Sequence, residues 1–348
     1  MKSRHARDRM LLCIGLMCCF WLFCGIQKPV EAQETPHTVV AFDISSDGFL
    51  VIKGLSDRTI QLWDNQTNKL IATYAKPYPE LGTDAQFNLN DLQFSPDNTQ
   101  LAISFGDSVG AQNGFVWIFS IPDGKLLIEL DAHGYGGSLA WQPDGQQLAV
   151  ATAYGTGSLE EYGFRVWNTT DWSLQEDIQL PIELLAVLNW SPNGQILAVA
   201  NGDLIELYDA KTWRILYTLK GHTDYIMSID WNADSTKLAG AGLDQTIRIW
   251  DINSGTETQQ FKRQKPATFS NIVLWSDDQQ RVIALGDYNI EIWDTKSESL
   301  QANYDITPDW VVDAEKVSDK IVYLGGKSAA VLTLASLLQP EITPEVPT

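Results

Sequence analysis

The sequence predicts an all-β chain built from a repeated, four-stranded antiparallel unit. Three observations support this. An aromatic residue closes a run of strand-forming residues at intervals of 41 to 56 positions. A turn signal of the Ser-Pro-Asp-Gly kind precedes each of these aromatic residues. The segments between the two markers are short runs of Val, Ile, Leu and aromatic residues bounded by Asp, Asn, Gly or Pro, which is typical of strands.

The two markers define the repeat, and an internal repeat is the first feature to establish in such a chain. The closing aromatic residues are Trp63 in "RTIQLWD", Phe119 in "GFVWIFS", Trp167 in "YGFRVWN", Tyr208 in "DLIELYD", Trp250 in "QTIRIWD" and Trp293 in "YNIEIWD". The turn signals are "SSDG" at 45, "SPDN" at 95, "QPDG" at 142, "SPNG" at 191, "NADS" at 232, "SDDQ" at 276 and "VSDK" at 317. Seven turn signals predict seven units, although only six aromatic markers are present.

Each unit supplies four short strands, as "VVAFDIS", "FLVIKGL", "TIQLWD" and "KLIATY" show for the first one. A small sheet of this kind has two apolar faces and cannot bury either face alone. Neighbouring sheets must therefore stack against each other. Runs such as "IRIW" and "VIALG" are nearly continuously apolar, which is typical of strands covered on both faces.

The clearest unit is residues 221–251, in which Gly221-His222 opens the unit and Trp250-Asp251 closes it, with Asp244 in the intervening tight turn. On these motifs the chain resembles the WD-repeat β-propeller family. The resemblance implies a seven-bladed propeller of four-stranded antiparallel blades over residues 33–339. Dividing residues 38–339 into seven gives about 43 residues per blade, as expected for such repeats.

The resemblance also implies a buried chain of hydrogen bonds that locks each blade, formed by the turn Asp, the His, a strand hydroxyl and the Trp. His222, Asp244 and Trp250 match this pattern, but Gly240 stands where a Ser or Thr is expected. Such a network is costly when one member is missing. The two ends of the pattern also occur as Asp57 with Trp63 and as Asp287 with Trp293. We interpret all of these residues as structural rather than catalytic.

Closure of the ring is the open structural question. The last unit offers three strands, in "DWVVDAEKV", "KIVYLGG" and "AAVLTLA", before the chain becomes Pro-rich. We expect a three-stranded seventh blade and a disordered tail at 340–348. The alternative is that the tail around Ile342 supplies the fourth strand.

The N-terminal segment has the layout of an export signal. Four basic residues precede an apolar run over residues 10–26, and "VEA" at 30–32 offers small residues where a signal peptidase reads. We expect residues 1–32 to be a signal peptide cleaved after Ala32. The alternative is a retained membrane anchor, although the run is marginal in length for spanning a bilayer. The chain is therefore expected to be exported, with membrane attachment only through this segment if it is uncleaved.

Charge and cysteine content narrow the functional classes. All four cysteines lie within the apolar N-terminal run, so the exported part offers no disulfide framework or thiolate metal site. Removing that segment, with its five basic and two acidic residues, takes the formal net charge from −20 to −23. Such a surface repels phosphate backbones, so we expect no nucleic-acid partner. Solubility outside the cytoplasm explains the charge, and a specific basic ligand is the alternative.

A partner-binding face is predicted from three long insertions, at 76–91, 105–115 and 153–164, because all three are expected on one side of the ring over blades one to three. Aromatic residues held by a rigid scaffold are typical of recognition surfaces. The candidate residues are Tyr78, Phe105, Asp107, Tyr135, Tyr154, Glu160, Glu161 and Tyr162. The alternative is that the aromatic side chains only cover the backbone of their own loops.

Signals for catalysis or metal binding are weak, and we expect no cofactor, metal site or catalytic residue. The Ser in "GYGGS" at 134–138 lacks the spacing of a nucleophile elbow. "DISSDG" at 43–48 begins like a calcium loop, but Gly54 stands where a bidentate Glu is required. The sequence therefore favours a non-catalytic scaffold that binds a protein or peptide. The alternatives are an enzyme or metal-dependent small-ligand binder using Asp107, Glu160 and Glu161, and a passive spacer.

Overall fold

A computed structural model describes residues 39–333 of the 348-residue chain, apart from residue 58 and segments 75–86, 108–113, 133–134, 156–159, 182–185, 268–270, 307–310, 318–319 and 326–328. These described residues form seven antiparallel sheets, six of four strands and one of three. Each sheet is a meander, with strands hydrogen-bonded in chain order. The predictions of an all-β chain and of a repeated antiparallel unit are confirmed.

The strands, numbered along the chain, divide among the sheets as follows. Sheet 1 contains β1 (Val39–Ile44), β2 (Leu50–Leu55), β3 (Ile60–Asp64) and β4 (Lys69–Tyr74). Sheet 2 contains β5 (Phe87–Phe94), β6 (Gln100–Asp107), β7 (Phe115–Ser120) and β8 (Leu126–Asp131). Sheet 3 contains β9 (Tyr135–Trp141), β10 (Gln147–Gly155), β11 (Glu160–Asn168) and β12 (Leu174–Leu180). Sheet 4 contains β13 (Val187–Trp190), β14 (Ile196–Asn201), β15 (Leu204–Asp209) and β16 (Ile215–Leu219).

The remaining sheets continue the pattern. Sheet 5 contains β17 (Ile226–Trp231), β18 (Lys237–Gly242), β19 (Thr246–Asp251) and β20 (Thr256–Lys262). Sheet 6 contains β21 (Asn271–Trp275), β22 (Arg281–Gly286), β23 (Asn289–Asp294) and β24 (Ser299–Asp305). Sheet 7 contains β25 (Val311–Val317), β26 (Lys320–Gly325) and β27 (Ala329–Thr333). Residues 340–348, including the alternative strand around Ile342, lie outside the described residues.

The first strand of each sheet is the innermost one. It contacts the first strand of the next sheet, from β1 to β5 and onward to β25, and β25 in turn contacts β1. The sheets therefore follow one another around a closed ring. The second and third strands of sheets 4, 5 and 6 are mostly buried, whereas β4, β12 and β16 carry mostly exposed residues.

The turn signals have a common geometry that explains their sequence. In sheet 1, the Ser45 hydroxyl donates to Asp47 Oδ1 at 2.6 Å and accepts a hydrogen bond from the backbone N–H of Leu50 at 2.8 Å. The last residue of the turn, Gly48, has φ of +75°, a region that favours glycine. We call these turns, which join the first and second strands and begin at residues 45, 95, 142, 191, 232 and 276, the lower turns.

The acidic residue after the closing aromatic residue stabilises a second turn, between the third and fourth strands. Asp251 Oδ1 accepts hydrogen bonds from both the backbone N–H and the hydroxyl of Ser254, at 2.9 Å each. Asp64, Asp209 and Asp294 make equivalent contacts in their own sheets. The Trp-Asp pair thus combines a residue of the inter-sheet core with the residue that fixes the following turn.

The core consists of apolar clusters between sheets. Five of the six closing aromatic residues are buried, namely Phe119, Trp167, Tyr208, Trp250 and Trp293. Trp63 is half-buried, with Lys53 Nζ 4.6 Å from its ring centroid. One cluster joins Leu207 of sheet 4 to Ile229 and Trp250 of sheet 5. Stacking between sheets therefore buries the two faces that a single sheet leaves exposed, as the sequence predicts.

Candidate functional site

The strands of sheets 2 and 3 extend further at one edge than those of the other sheets. The strands β10 and β11 each contain nine residues, and β6 runs to Asp107. Parts of all three predicted loops are therefore strand: residues 87–91 belong to β5, residues 105–107 belong to β6, and residues 153–155 and 160–164 form paired ends of β10 and β11. The prediction that these positions belong to loops was wrong.

The register brings several predicted residues to this edge. Ala153 pairs with both Tyr135 and Tyr162, so the two tyrosines occupy one row across three strands. Tyr154 pairs with Glu161, and Gly155 pairs with Glu160. We call residues 154–161 the hairpin tip. In sheet 2, Asp107 pairs with Phe87 at the corresponding end of β5 and β6.

Hydrogen bonds join sheets 2 and 3 next to this edge. Asn90 Nδ2 donates to the carbonyl of Gly136 at 2.5 Å, and the Ser104 hydroxyl donates to the carbonyl of Gly137 at 2.7 Å. A Cβ at Gly136 would lie 3.2 Å from the carbonyl oxygen of Phe105, so glycine permits this close approach. The paired ends of β10 and β11 therefore adjoin a base in which sheets 2 and 3 are fixed to each other.

Phe105 does not have the predicted surface role. Its side chain is 4% exposed and packs against Trp117, with ring centroids 4.4 Å apart. The expectation was wrong because the long β6 carries residue 105 into the core between the sheets. Tyr162 is half-buried, and Tyr78 lies outside the described residues.

The predicted locking residues of sheet 5 form a compact buried cluster. His222 Nδ1 donates to Asp244 Oδ2 at 2.9 Å, and the Thr246 hydroxyl donates to Asp244 Oδ1 at 2.7 Å. The backbone N–H of Thr223 adds a further bond to Asp244 at 3.0 Å. Burial raises the pKa of Asp244, but the hydrogen bonds from His222 and Thr246 outweigh it and hold the pKa below its ordinary value. Asp244 is therefore the ionised acceptor at the centre of the cluster.

Gly240 stands where a Ser or Thr is expected, and the absence of that hydroxyl leaves one hydrogen bond of the predicted chain unmade. In the neutral ring with the proton on Nδ1, where it bonds to Asp244, Nε2 is an acceptor, and within the described residues this buried atom has no hydrogen-bond partner. A Cβ at Gly240 would lie 3.4 Å from Nε2 and 3.1 Å from Trp250 Cζ3. The Trp250 indole N–H donates to the carbonyl of Lys220 at 3.1 Å, although its ring lies beside that of His222. The hydrogen-bond chain thus ends at His222.

Sheet 1 does not link its two predicted locking residues in the expected way. Asp57 Oδ1 accepts a hydrogen bond from the backbone N–H of Thr59 at 2.9 Å, which stabilises its own turn. Trp63 donates its indole N–H to Gln61 Oε1 at 3.1 Å. Asp57 and Trp63 are both structural in these contacts, but they serve different local interactions.

Sheet 6 contains a buried ionic network that the sequence reasoning missed. The side chains of Arg263 and Glu291 are fully buried, and Arg263 Nε lies 3.8 Å from Glu291 Oε2. Arg263 Nη1 donates to Asn271 Oδ1 at 2.7 Å, and Glu291 Oε2 accepts the indole N–H of Trp293 at 3.2 Å. Burial lowers the pKa of Arg263, and the carboxylates of Glu291 and Asp287 oppose that shift.

This network replaces the His-centred pattern expected from Asp287 and Trp293. Asp287 is buried, but Trp293 bonds to Glu291. The signal available in the sequence was Glu291 within the otherwise apolar "NIEIW", because a carboxylate on a central strand requires a buried partner. Gly286 makes room for the network, since a Cβ there would lie 2.5 Å from Arg263 Nη2.

Carboxylates on the innermost strands join neighbouring sheets. Asp43 on β1 accepts the backbone N–H of Phe94 in sheet 2 at 2.7 Å, and Asp91 on β5 accepts that of Leu139 in sheet 3 at 2.8 Å. We call Asp43, Asp91 and Asp313 the inner-strand carboxylates. Burial raises the pKa of Asp43 to about 7 and that of Asp313 to about 6, and it raises the pKa of Asp91 well above its ordinary value. Their mutual repulsion adds to the shifts of Asp43 and Asp91.

The candidate calcium loop has a structural explanation. Asp43 bonds to backbone N–H groups, and Asp47 accepts the hydroxyl of Ser45 and the N–H of Phe49 within the turn. Across the described part of the chain, no group of three or more His, Cys, Asp or Glu side chains has an arrangement suited to a metal ion. Ser138 lies on β9, where its hydroxyl accepts the backbone N–H of Leu188 at 3.4 Å. His37 and His133 lie outside the described residues.

Comparison with known families decides the identity of the repeat. The WD domain, G-beta repeat model matches residues 30–64 and 213–251, and the second match contains the cluster of His222, Asp244 and Trp250. The chain belongs to the WD-repeat family. This WD-repeat chain also resembles longer curated proteins with the same kind of repeat.

WD repeat-containing protein 1 of Xenopus tropicalis is 33% identical over 277 residues, which cover 76% of this chain and 42% of that protein. The anaphase-promoting complex subunit cdc20 of Dictyostelium discoideum is 27% identical over 217 residues, covering 60% of this chain and 40% of that protein. Protein HIR1 of Cryptococcus neoformans var. neoformans serotype D (strain JEC21 / ATCC MYA-565) is 30% identical over 210 residues, covering 58% of this chain and 20% of that protein. The WD-repeat chain therefore spans less than half the length of these relatives. Over the residues that the structure describes, no helix has the length and apolarity needed to cross a membrane.

Proposed function

We propose that this chain is a non-catalytic, exported WD-repeat scaffold that binds a protein or peptide partner through the hairpin tip and the adjoining edge of sheets 2 and 3. The observation that carries the proposal is the register, which groups Tyr135, Tyr154, Glu160, Glu161 and Tyr162 at one edge of sheet 3. The hydrogen bonds between sheets 2 and 3 give this edge a rigid base, which is how scaffolds commonly present recognition residues. Aromatic and charged residues together supply both contact area and orientation. One relative is named as a subunit of the anaphase-promoting complex, which is consistent with a role in assembly.

The hairpin can be shortened without changing the rest of sheet 3. Ala153 and Tyr162 are a directly paired position, so residues 154–161 can be replaced by Asn-Gly, which forms a two-residue hairpin turn. The matched control is Tyr288→Ala, which removes an exposed aromatic side chain from the turn between the second and third strands of sheet 6.

We expect a cross-linking pull-down from the native envelope to capture one or more partners with the full chain and with the Tyr288→Ala variant. The shortened variant is expected to lose at least one of them while keeping the circular dichroism of the full chain. If it retains every partner, the hairpin tip is not the binding surface. Chelator-sensitive turnover that is lost on removing Asp107, Glu160 and Glu161 would instead support the enzymatic alternative.

Export and ring closure are part of the same proposal. The basic residues, apolar run and small residues of 1–32 support export with cleavage after Ala32. Mass spectrometry of the mature chain should then give Gln33 as the first residue, whereas an intact N-terminus would indicate a retained anchor. We also propose seven blades, the last formed by sheet 7. A variant ending at Gln339 is expected to keep the melting temperature of the full chain, and a loss of several degrees would indicate that the tail supplies a fourth strand.

A further inference from the structure

The lower turns of neighbouring sheets lie side by side, and hydrogen bonds join most of the described pairs. Between sheets 1 and 2, the backbone N–H of Ser46 donates to Asn98 Oδ1 at 3.0 Å. The other joining bonds are Gln142 Nε2 to the carbonyl of Gly194 at 2.8 Å, the N–H of Asn193 to Ser235 Oγ at 3.1 Å, and Asn232 Nδ2 to Gln279 Oε1 at 3.1 Å. Sheets 3 and 4, 4 and 5, and 5 and 6 are thereby connected.

The lower turns of sheets 2 and 3 are the exception, because their sequences lack the donors and acceptors that join the other neighbouring turns. Pro96 has no N–H to donate, and Gly145 has no side chain to accept. The short hydroxyl of Ser95 donates within its own turn, to Asp97 Oδ1 at 2.6 Å. Among the described residues, no hydrogen bond joins these two turns, and a cleft of 280 Å³ lies between them. Its walls include Pro96, Asp97, Gln100, Trp141, Pro143 and Asp144.

Three residues at this cleft carry acceptor oxygens, namely Gln100, Asp97 and Asp144. Gln100 Oε1 is buried and, within the described part of the chain, has no hydrogen-bond partner. Asp97 and Asp144 are exposed, and each uses Oδ1 for bonds within its own turn. Hydrogen bonds from the Ser95 hydroxyl and the Thr99 backbone outweigh desolvation and lower the pKa of Asp97, so this carboxylate is negatively charged at neutral pH. A ligand that satisfies these atoms must supply several donors and a positive charge.

An arginine side chain meets this requirement better than a lysine side chain. Its planar guanidinium carries five N–H donors spread over three nitrogens, whereas a lysine presents one compact ammonium group. The rings of Pro96 and Pro143, with the edge of Trp141, provide apolar surface for its aliphatic portion. The cleft is slightly smaller than the range of about 300–1,000 Å³ usual for whole small-molecule ligands, so it suits one side chain. The net charge of −20 favours the approach of a basic segment.

We propose that the cleft between the lower turns of sheets 2 and 3 binds an arginine side chain presented by an extended peptide segment of a partner. The lower turns follow the first strand of each sheet, whereas the hairpin tip follows the second. In antiparallel sheets these turns lie at opposite edges. The cleft is therefore a second binding site, separate from the surface of the proposed function.

The test measures binding of two peptides to the full chain by isothermal titration calorimetry. The probe is acetyl-Gly-Ala-Arg-Ala-Gly-amide, and its partner peptide carries citrulline, which has nearly the shape of arginine but no charge. We expect the arginine peptide to bind with an affinity that falls as salt is added, and the citrulline peptide to bind at least tenfold more weakly. The indole N–H resonance of Trp141, assigned with a Trp141→Phe variant, should shift on adding the arginine peptide only.

The protein variants use matched turns of the same chain. Asp97→Asn combined with Asp144→Asn should weaken binding at least tenfold without disrupting the turns. In sheet 4 an Asn already occupies this position: Asn193 Oδ1 accepts hydrogen bonds from the Ser191 hydroxyl at 2.8 Å and from the backbone N–H of Gln195 at 3.0 Å. Asp234→Asn removes the corresponding charge from the lower turn of sheet 5 and should leave binding unchanged.

A second variant tests the cleft without removing charge. Gly145 has φ of +72°, but Asn98 occupies the same turn position in sheet 2 with φ of +59°, so Gly145→Asn is compatible with the backbone. The added side chain should fill the cleft and reduce binding at least tenfold. Equal binding of the citrulline peptide, an unshifted Trp141 resonance, or equal weakening by Asp234→Asn would overturn the assignment. Binding of arginine amide as tight as that of the peptide would overturn the role of an extended segment.

Discussion

The unpartnered His222 nitrogen makes Gly240→Ser a sharp test of how sheet 5 is stabilised. A serine hydroxyl at this position would begin from a Cβ 3.4 Å from His222 Nε2, within reach of a hydrogen bond. The matched control is Gly240→Ala, because both variants add the same Cβ 3.1 Å from Trp250 Cζ3. The difference between them isolates the hydroxyl.

The expected magnitude follows from three contributions. Replacing glycine restricts the unfolded chain and stabilises both variants by about 0.4–1 kcal/mol. Crowding against Trp250 destabilises both by about 1–3 kcal/mol. Only the serine satisfies the buried acceptor, which is worth about 1–3 kcal/mol. We therefore expect Gly240→Ser to be more stable than Gly240→Ala by about 1–3 kcal/mol, even if neither variant exceeds the parent chain.

Thermal unfolding followed by circular dichroism at neutral pH is a suitable assay. For domains of about 150–250 residues, each kcal/mol shifts the melting temperature by about 2–4 °C, so the two variants should differ by at least a few degrees. The ¹⁵N shift of His222 Nε2 should also change in the serine variant alone. In a His222→Phe background the advantage of serine over alanine should be lost, because the acceptor is removed and the buried hydroxyl has no partner there. Equal melting temperatures in the parent background would refute the assignment of Nε2 as an unsatisfied acceptor.

Three further predictions concern other parts of the ring. The raised pKa values of the inner-strand carboxylates mean that the folded state binds protons more tightly than the unfolded chain. Their contribution to stability is therefore full below about pH 4 and declines as the pH rises towards about 7. In Asp43→Asn, the free energy of unfolding measured in urea should depend less on pH across this range, and an unchanged slope would contradict the argument. Asp47→Asn is the control, because hydrogen bonds from Ser45 and Phe49 lower the pKa of Asp47 and give it the opposite slope. Gly286→Ala should lower the free energy of unfolding, measured in urea, by about 1–3 kcal/mol, because its Cβ would contact the buried Arg263. An unchanged free energy would show that Arg263 can move to accommodate the added methyl group. Gly163→Ala should lower the melting temperature further still, because its Cβ would lie 2.2 Å from a backbone carbonyl oxygen of the neighbouring strand.

Turns and closing aromatic residues could be predicted because their chemistry is local. A Ser two residues before an Asp, with a residue of positive φ directly after the Asp, defines the lower turns of sheets 1, 2 and 6 from four consecutive positions. The defect at Gly240 was also visible, because the resemblance specifies which residue type belongs there. In each case the interacting residues lie within one repeat, so they can be identified by comparing that repeat with the others in the chain.

The features that sequence reasoning missed depend on contacts between distant positions. Arg263, directly after β20 of sheet 5, and Glu291, on β23 of sheet 6, are 28 residues apart, and neither one matches the expected His-centred pattern. The extended ends of β10 and β11 were obscured by the glycines in "AYGTGSLEEYGF", which are typical of turns. Phe105 was placed on the surface for the same reason, because a strand was predicted to end where it continues.

The boundary between sheets 2 and 3 combines two opposite arrangements. At the edge near the hairpin tip, Asn90 and Ser104 bind the backbone of sheet 3 directly, whereas at the lower edge Pro96 and Gly145 remove the joining bonds. In a repeat structure, stability depends on the interfaces between neighbouring units. The direct bonds near the hairpin tip, together with the bond from Leu139 to Asp91, join sheets 2 and 3 although no described hydrogen bond joins their lower turns. A ligand in the cleft would add the bonds that the lower turns lack, and the expected result is a higher melting temperature for the chain when it is bound.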